Sequence, residues 1–429
     1  MCRTWRAVQP DMRGSLTAWS RWLIVLLAFV VAFPVALNNL VLALFLFVAL
    51  PLHGGRVWAV LRDNIVARAA TMLFGALVLG IVFGTTSLEA GIDILGKYAD
   101  LAIIPLFILA LRDESTRQRA LYAFIASMVL IALVSWLIGL HIIPNNDWVQ
   151  KHVLSSSSTL QNPSVFHSHI TQGMLLAYAA YLFALRFLDA TDMRKRAMYA
   201  GMALLMASNV LFLIQGRTGY VVLLALSVWL GWIALGARLA RLGKKLTWRH
   251  GITALLFPIL LLWIADATVP RLHDRMLKTT DEFNSWKPHV IKEANSIGDR
   301  MEFYYNSLAI VAEHPWLGVG TGGFEAAYEK QVRGLGIVVS NNPHDEYLLI
   351  TIQIGVFGLL LLLYLFYSQW RSATRLPTPF EQNAARGLVL TLAVSCLFNS
   401  NLRDHVPGMF FALMSALWFA HLGEGARNA

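Results

Sequence analysis

From Tyr347 to Trp370 the chain carries no charged side chain. A run of that length and polarity has few stable homes. A bilayer core about 30 Å thick is crossed by roughly 20 mostly apolar residues as a helix. In lipid every backbone N–H and C=O must be satisfied inside the segment. Similar runs recur along all 429 residues. About twelve candidate spans can be read, at roughly 22 to 36, 38 to 52, 69 to 86, 98 to 111, 120 to 140, 171 to 186, 198 to 215, 219 to 237, 251 to 268, 347 to 369, 387 to 399 and 406 to 422. Charged residues make up only 14% of the chain, against about 25% in soluble domains. The expected fold is an all-α polytopic membrane protein.

The basic residues supply a second, independent signal, because cytoplasmic flanks of membrane helices collect Lys and Arg. With both chain ends inside, most of the 35 Lys and Arg fall on the cytoplasmic side, in clusters such as RDESTRQR, DMRKR and RLARLGKKLTWRH. The short outer loops then carry Lys97, Lys151, Arg217 and Arg403. The net charge of +10 is accounted for by inner loops facing anionic lipid, so no nucleic-acid partner is expected. Arg3, Arg6, Arg13 and Arg21 precede the first apolar run. No small-residue cleavage site follows it, and it reads as an uncleaved first helix. Cys2 and Cys396 lie at opposite ends of the sequence and imply no disulfide framework.

Two outer segments are long. His141 to Ile170 contains PNNDW, a four-serine run and NPSVFHSHI, and reads as a loop with at most a short helix. Thr268 to Pro343 has no run that spans, but Phe303, Ser307, Ile310 and Val311 recur at helical spacing. A small, mainly helical outer subdomain on the membrane surface is expected there, its helix ended by Pro315. The division is 1–267, transmembrane helices one to nine; 268–343, the outer subdomain; and 344–429, helices ten to twelve. Secondary transporters also favour twelve helices, but place ionisable groups near the midplane. Here Asp100 and Asp266 sit near outer helix ends, and the polar chemistry gathers at the outer face.

GVGTGG, with Gly318, Gly320 and Gly323, satisfies the literal G-x-G-x-x-G pattern. That pattern signals a dinucleotide only between a strand and a helix, and here it follows an amphipathic helix. The reading is a turn where backbones pass closely, or a loop whose amides face an anion. His344, Asp345 and Glu346 are adjacent, which suits convergence on one metal ion poorly, and the chain has no Asp-x-Asp pair. No metal and no cofactor are expected.

Arg217, in QGRTGY, sits in a tight turn, Arg300 opens the helix of the long outer segment, and His344 precedes the apolar run. Topology puts all three on one side. Two fixed guanidiniums can grip a diphosphate and take up charge as it leaves. A neutral imidazole beside them can accept a proton from an incoming hydroxyl. A helix N-terminus favours the neutral ring, while Asp345 and Glu346 favour the cation. The two effects oppose, and the sequence leaves the direction of the shift open.

These residues resemble the O-antigen ligase family, which shares its pattern with O-antigen polymerases and bacterial protein O-oligosaccharyltransferases. The resemblance runs from about Gln215 to Gly358. It rests on the arginine turn of QGRTGY, the arginine of SIGDRMEFYY, HPWLGVGTGGF, and the histidine of PHDEYL. One position departs: the family commonly has His-Asn where this chain has His344-Asp345. The resemblance implies a membrane glycosyltransferase of the GT-C type on the periplasmic face of the bacterial inner membrane. The donor would be a glycan on undecaprenyl diphosphate and the acceptor a hydroxyl, of the lipid A core in a ligase. By matching positions, Arg217 and Arg300 would hold the diphosphate and His344 would be the general base. His167, His169, His314, Tyr220 and Asp345 are candidate substrate contacts. A different class, a transporter of lipid-linked glycan, would move the same substrate without forming a bond.

Overall fold

The computed structural model describes the chain except residues 1–4, 145, 157, 159–161, 215, 245–246, 248–251, 253–255, 257–258, 261–262, 265–266, 268–269, 291–295 and 423–429. Asp266 and most of the expected ninth span, 251–268, lie outside the described residues. Among those described there is no strand, only an isolated bridge between Leu154 and Val165. The first part of the chain runs α1 (Trp5–Val30), α2 (Val35–His53), α3 (Val57–Asp63), α4 (Ile65–Phe83), α5 (Leu88–Lys97), α6 (Ala99–Ala110), α7 (Glu114–Gly139) and α8 (Asp147–His152). The bundle continues with α9 (His169–Asp189), α10 (Met193–Ser208) and α11 (Arg217–Arg241). Next come α12 (Pro270–Ser285), α13 (Ser296–Glu313) and α14 (Phe324–Val332), then α15 (Glu346–Ser372), α16 (Pro379–Ser395) and α17 (His405–Phe419).

Among the described residues, 7 helical stretches are long and apolar enough to cross a membrane. They are Val35–Asp63, Ile65–Phe83, Glu114–Gly139, His169–Asp189, Met193–Leu213, Arg217–Arg241 and Glu346–Arg375. Gly14–Val30 and His405–Phe419 are shorter apolar helices. Two of the runs read as spans, 98 to 111 and 387 to 399, form the 12-residue α6 and part of the 17-residue α16. At 1.5 Å per residue such helices reach only about 18 and 26 Å, short of a full crossing.

Local chemistry starts these helices where the sequence supplies caps. Asn64 accepts from the amides of Val66 and Ala67, while its Nδ2 donates to the Phe419 carbonyl at 2.8 Å. One side chain thus starts α4 and closes α17. Thr378 and Glu381 form a reciprocal capping box on α16, with Pro379 at its first position. The centre of the bundle is α9, buried along most of its length, which packs against α10, α11 and α16. α17 is buried throughout and lies against α6 and α16. A helix apolar all round belongs in such a centre.

The long segment between α11 and α15 is mainly helical among its described residues, in keeping with its periodicity. Phe303, Ile310 and Val311 of α13 join Val319, Phe324, Tyr328 and Val332 in a second apolar cluster, which also takes in Leu349 and Ile352 of α15. Ser307 on the same face is fully buried. α13 and α14 therefore rest on the first turns of α15, and α12 packs on α13. That helix is broken at Ile354 (φ −133, ψ 23) and Gly355 (φ 68, ψ −168), a break the uninterrupted apolar run does not announce.

The glycine segment occupies that break. Unbroken helix would bond the Val356 N–H to the Ile352 carbonyl. Instead Val356 donates to the Pro315 carbonyl at 2.9 Å, and the Ile352 carbonyl accepts from Val319 at 2.8 Å. Gly320 donates to the Gln353 carbonyl at 2.9 Å, Thr321 to the Gly80 carbonyl of α4 at 3.1 Å, and Gly322 to Gln353 Oε1 at 3.1 Å. Of the two readings, the close backbone passage is the one observed: these amides face carbonyls of α4 and α15. At Gly320 (φ 95) and Gly355 an added Cβ would overlap backbone of Gly84 and Trp316 respectively.

Candidate active site

α11 starts at Arg217 after Gly216, whose backbone is extended (φ −93, ψ 105). A Cβ at Gly216 would press on the His169 carbonyl, and one at Gly219 on the backbone of Gly173. The first turns of α11 and α9 can therefore touch, the close approach that small residues permit between membrane helices. Arg217 is held at the head of that crossing, beside His169. Its Nη2 donates to Glu282 Oε2 of α12 at 3.2 Å, both side chains being largely buried. Lys278, one turn earlier, lies 3.9 Å from Glu282 Oε1. Tyr220 turns its hydroxyl back to the Ile214 carbonyl at 3.4 Å.

Arg300 stands in the first turns of α13. Burial pulls its proton affinity below the ordinary guanidinium value, and the charge of Arg217 acts in the same direction, against the field of Tyr304. Both arginines stay protonated. They are close enough to repel, an arrangement that favours an anion between them.

His344 adopts a left-handed backbone, φ 55, uncommon for a residue with a Cβ. Several groups hold it there. Its N–H donates to Asn342 Oδ1 at 2.9 Å, and that oxygen also accepts from Ser400 Oγ at 2.7 Å. The Tyr304 hydroxyl reaches the carbonyls of His344, at 3.2 Å, and Leu397, at 3.1 Å. The imidazole stacks on Phe303 with centroids 5.9 Å apart and planes 28° apart. Its Nδ1 lies 3.2 Å from Asn399 Oδ1. Asn399 Nδ2 in turn donates to Asp404 Oδ2 at 2.9 Å.

Burial lowers the His344 pKa below the ordinary imidazole value, and the charges of Arg300 and Arg403 act the same way. The hydrogen bond to Asn399 and the charge of Asp404 oppose them without prevailing. The ring is neutral at neutral pH. The two adjacent acids, expected to favour the cation, are turned elsewhere. Asp345 is the N-cap of α15, its carboxylate accepting from the Leu348 amide at 2.8 Å. Burial pushes that carboxyl up to about 6, against the Leu348 and Tyr347 amides that favour ionisation. Glu346 is fully buried and accepts from Tyr98 OH at 2.7 Å and the Leu402 amide at 2.8 Å. Since Asp and Asn cap helices about equally well, the departure at Asp345 preserves the local structure.

Arg217, Arg300 and His344 are thus linked through electrostatic contact and through Tyr304, one turn beyond Arg300. His169 abuts the Arg217 turn. His167 is directed to the Phe33 carbonyl, 2.9 Å from Nε2, and burial lowers its pKa. His314 stands apart: it follows the end of α13 and is exposed, about 20 Å along the helix axis from Arg300 at 1.5 Å per residue. Among the described residues no three His, Cys, Asp or Glu side chains converge in a way that could hold a metal ion.

Four residues of the site were not singled out from sequence: Glu282, Tyr304, Asn399 and Asp404. Asn399 and Asp404 belong to NSNLRDH, a polar island between two apolar runs, which is a usable signal. Glu282 and Tyr304 leave none beyond their place in amphipathic helices.

Residues 201–363 match the family model described as O-antigen ligase. The match contains Arg217, Arg300 and His344 and supports O-antigen ligase- or polymerase-type function in general. Asn399 and Asp404 lie beyond it. No curated protein matches the chain as a relative.

Proposed function

We propose that this chain is an O-antigen ligase: a metal-independent, inverting glycosyltransferase of the GT-C type that moves a glycan from undecaprenyl diphosphate to a hydroxyl of the lipid A core oligosaccharide. Its active site would face the periplasm from the inner membrane, with residues 268–343 as the periplasmic subdomain. The observation that carries this reading is that two half-buried guanidiniums, Arg217 and Arg300, lie close enough to repel, and that the charge of Arg300 also acts on a neutral His344 imidazole. A diphosphate relieves the repulsion. Glu282, paired with Arg217, offers one carboxylate where a diphosphate offers two charged groups.

The chemistry follows from the groups present. An acceptor hydroxyl attacks the anomeric carbon from the face opposite the diphosphate, and its proton passes to the His344 imidazole. The new bond joins the anomeric carbon to the acceptor oxygen. The bond to the diphosphate oxygen breaks with its electron pair leaving on that oxygen, where Arg217 and Arg300 take up the charge. The imidazolium then returns its proton to solvent. Fixed, buried donors stabilise such charge more strongly than water does, since they need no reorganisation.

The test is reconstitution in liposomes with a lipid-diphosphate-linked glycan and lipid A core. A new glycosidic product on the core, insensitive to chelator, is expected. A lengthened lipid-linked glycan would assign a polymerase, and glycan on a protein Ser or Thr an oligosaccharyltransferase. Movement of donor across the bilayer with no new bond would assign a transporter.

A further inference from the structure

We propose that Asn399 and Asp404 are positioning residues that hold the His344 imidazole in its Nδ1–H tautomer and so leave Nε2 as the proton acceptor. The proposal rests on the reading of His344 as the general base, and it concerns residues outside the matched family segment. A neutral imidazole has one protonated and one bare nitrogen, and the hydrogen bond made by one fixes the role of the other. Nδ1 faces Asn399 Oδ1 at 3.2 Å. An amide oxygen only accepts, so Nδ1 must carry the proton.

The amide orientation is itself set by its other neighbours. Asn399 Nδ2 lies 2.9 Å from Asp404 Oδ2 and 3.3 Å from Asn401 Oδ1. An ionised carboxylate only accepts, and Asn401 turns its own Nδ2 to Ser395 Oγ at 2.8 Å. A flipped Asn399 would put its oxygen against two acceptors and its NH2 against Nδ1. The flip would move the ring proton to Nε2 and remove the base. Phe303 stacks on one ring face and the left-handed backbone at His344 is pinned by Asn342, so the ring is held against rotation. Nε2 is the one ring nitrogen without a partner among the described contacts. The charged and titratable groups acting on His344 are Arg300 from α13 and Arg403 and Asp404 from the segment before α17. Asp345, next in sequence, is turned to the α15 amides.

The arrangement parallels an orienting residue behind a catalytic histidine, as in hydrolase triads. Here a neutral amide contacts the ring and the carboxylate stands one step back. An amide orients the ring without stabilising the imidazolium as a direct carboxylate does.

The test combines a spectrum with kinetics. Nitrogen-15 spectra of histidine-labelled protein in lipid, with His344 assigned by the His344→Gln variant, should show a protonated Nδ1 and a bare Nε2 at pH 8. A protonated Nε2 in the unaltered protein would overturn the proposal whatever the activity. Asn399→Leu and Asp404→Leu should lower kcat by about tenfold or more with little change in donor KM, since only the reacting proton is affected. Full kcat in folded Asn399→Leu would also overturn it. The exchanged pair Asn399→Asp with Asp404→Asn puts a carboxylate on Nδ1 and an amide behind it. It should recover most of kcat and move the acid limb of the pH profile up by about one unit; recovery with no such movement would reduce both residues to packing. If His344→Ala itself keeps full transfer, the base reading falls while the spectrum still decides the tautomer.

Discussion

Two short segments bracket the first half of α15, and both look like ligand loops in sequence: GVGTGG, 318–323, and NNPHDE, 341–346. Their hydrogen bonds separate them. In the glycine segment the amides of Val319, Gly320, Thr321 and Gly322 all end on oxygens of α4 or α15, so it is a plug for a broken helix. In the histidine segment the backbone and carboxylates are likewise engaged, by Tyr304, the α15 amides, Tyr98 and the 396–404 stretch. One imidazole nitrogen is left over. A motif's suitability for a ligand is therefore decided by what its polar atoms already touch. Irregular backbone at a membrane helix is tolerated only where protein satisfies it, and that requirement consumes the donors an anion would have used.

The contrast can be broken most directly at His344. His344→Ala should lower transfer by roughly 10²–10⁴-fold, the usual contribution of a general base, with an unchanged melting temperature. Activity within threefold of the unaltered protein would leave the two segments chemically alike. Gly355→Ala should do the reverse. A residue with a Cβ forced into that left-handed backbone, against the Trp316 carbonyl, costs about 1–3 kcal/mol, read as a lower melting temperature. Per folded molecule its kcat should stand, and a large loss of kcat at full stability would move function into the plug.

The pH profile sharpens the comparison further. As the proposed general base His344 would work as the neutral ring, and its pKa is lowered. Activity should therefore hold as pH falls through 6.5, the ordinary imidazole value, and decline only below it. A midpoint above 6.5 would mean that a carboxylate, not burial, sets its charge.

The smallest effect is expected at Asp345. Its folded pKa, about 6, is raised above the ordinary aspartate value by burial, so ionisation opposes folding. The stability associated with the protonated form is present below the unfolded pKa and is lost as pH rises towards 6. Asp345→Asn keeps the cap and removes that charge. It should melt slightly higher than the unaltered protein at pH 8 and equal to it at pH 3.5, with kcat little changed. A lower melting temperature at pH 8 would show that the ionised cap is favoured after all.

α13 is legible because Phe303, Ile310 and Val311 repeat at 3.6-residue spacing, and local periodicity survives in any fold with a core. Arg217, Arg300 and His344 stand out in the sequence as candidates by residue type, and the structure brings their charges within reach of one another. Asn399 and Asp404 do not stand out in this way, because Asn399 gains its meaning from a ring 55 residues earlier in the chain and Asp404 from its bond to Asn399. The break in α15 was missed for a related reason: Gly355 inside an apolar run is tolerated by a helix, and only the loop seated against it makes it a hinge in the backbone.

Membrane-length apolar helices, and the residue types at their ends, follow from the amino-acid order alone. Transfer of apolar side chains into lipid is summed residue by residue along a segment, and caps act within one turn. Only the folded arrangement turns Asp345 to the α15 amides and Glu346 to Tyr98 and Leu402, lowers the pKa of the His344 ring, and sets Nδ1 against Asn399. Charge state and tautomer depend on burial and on partners brought from α13 and from the stretch before α17, and neither is encoded in the neighbours along the chain.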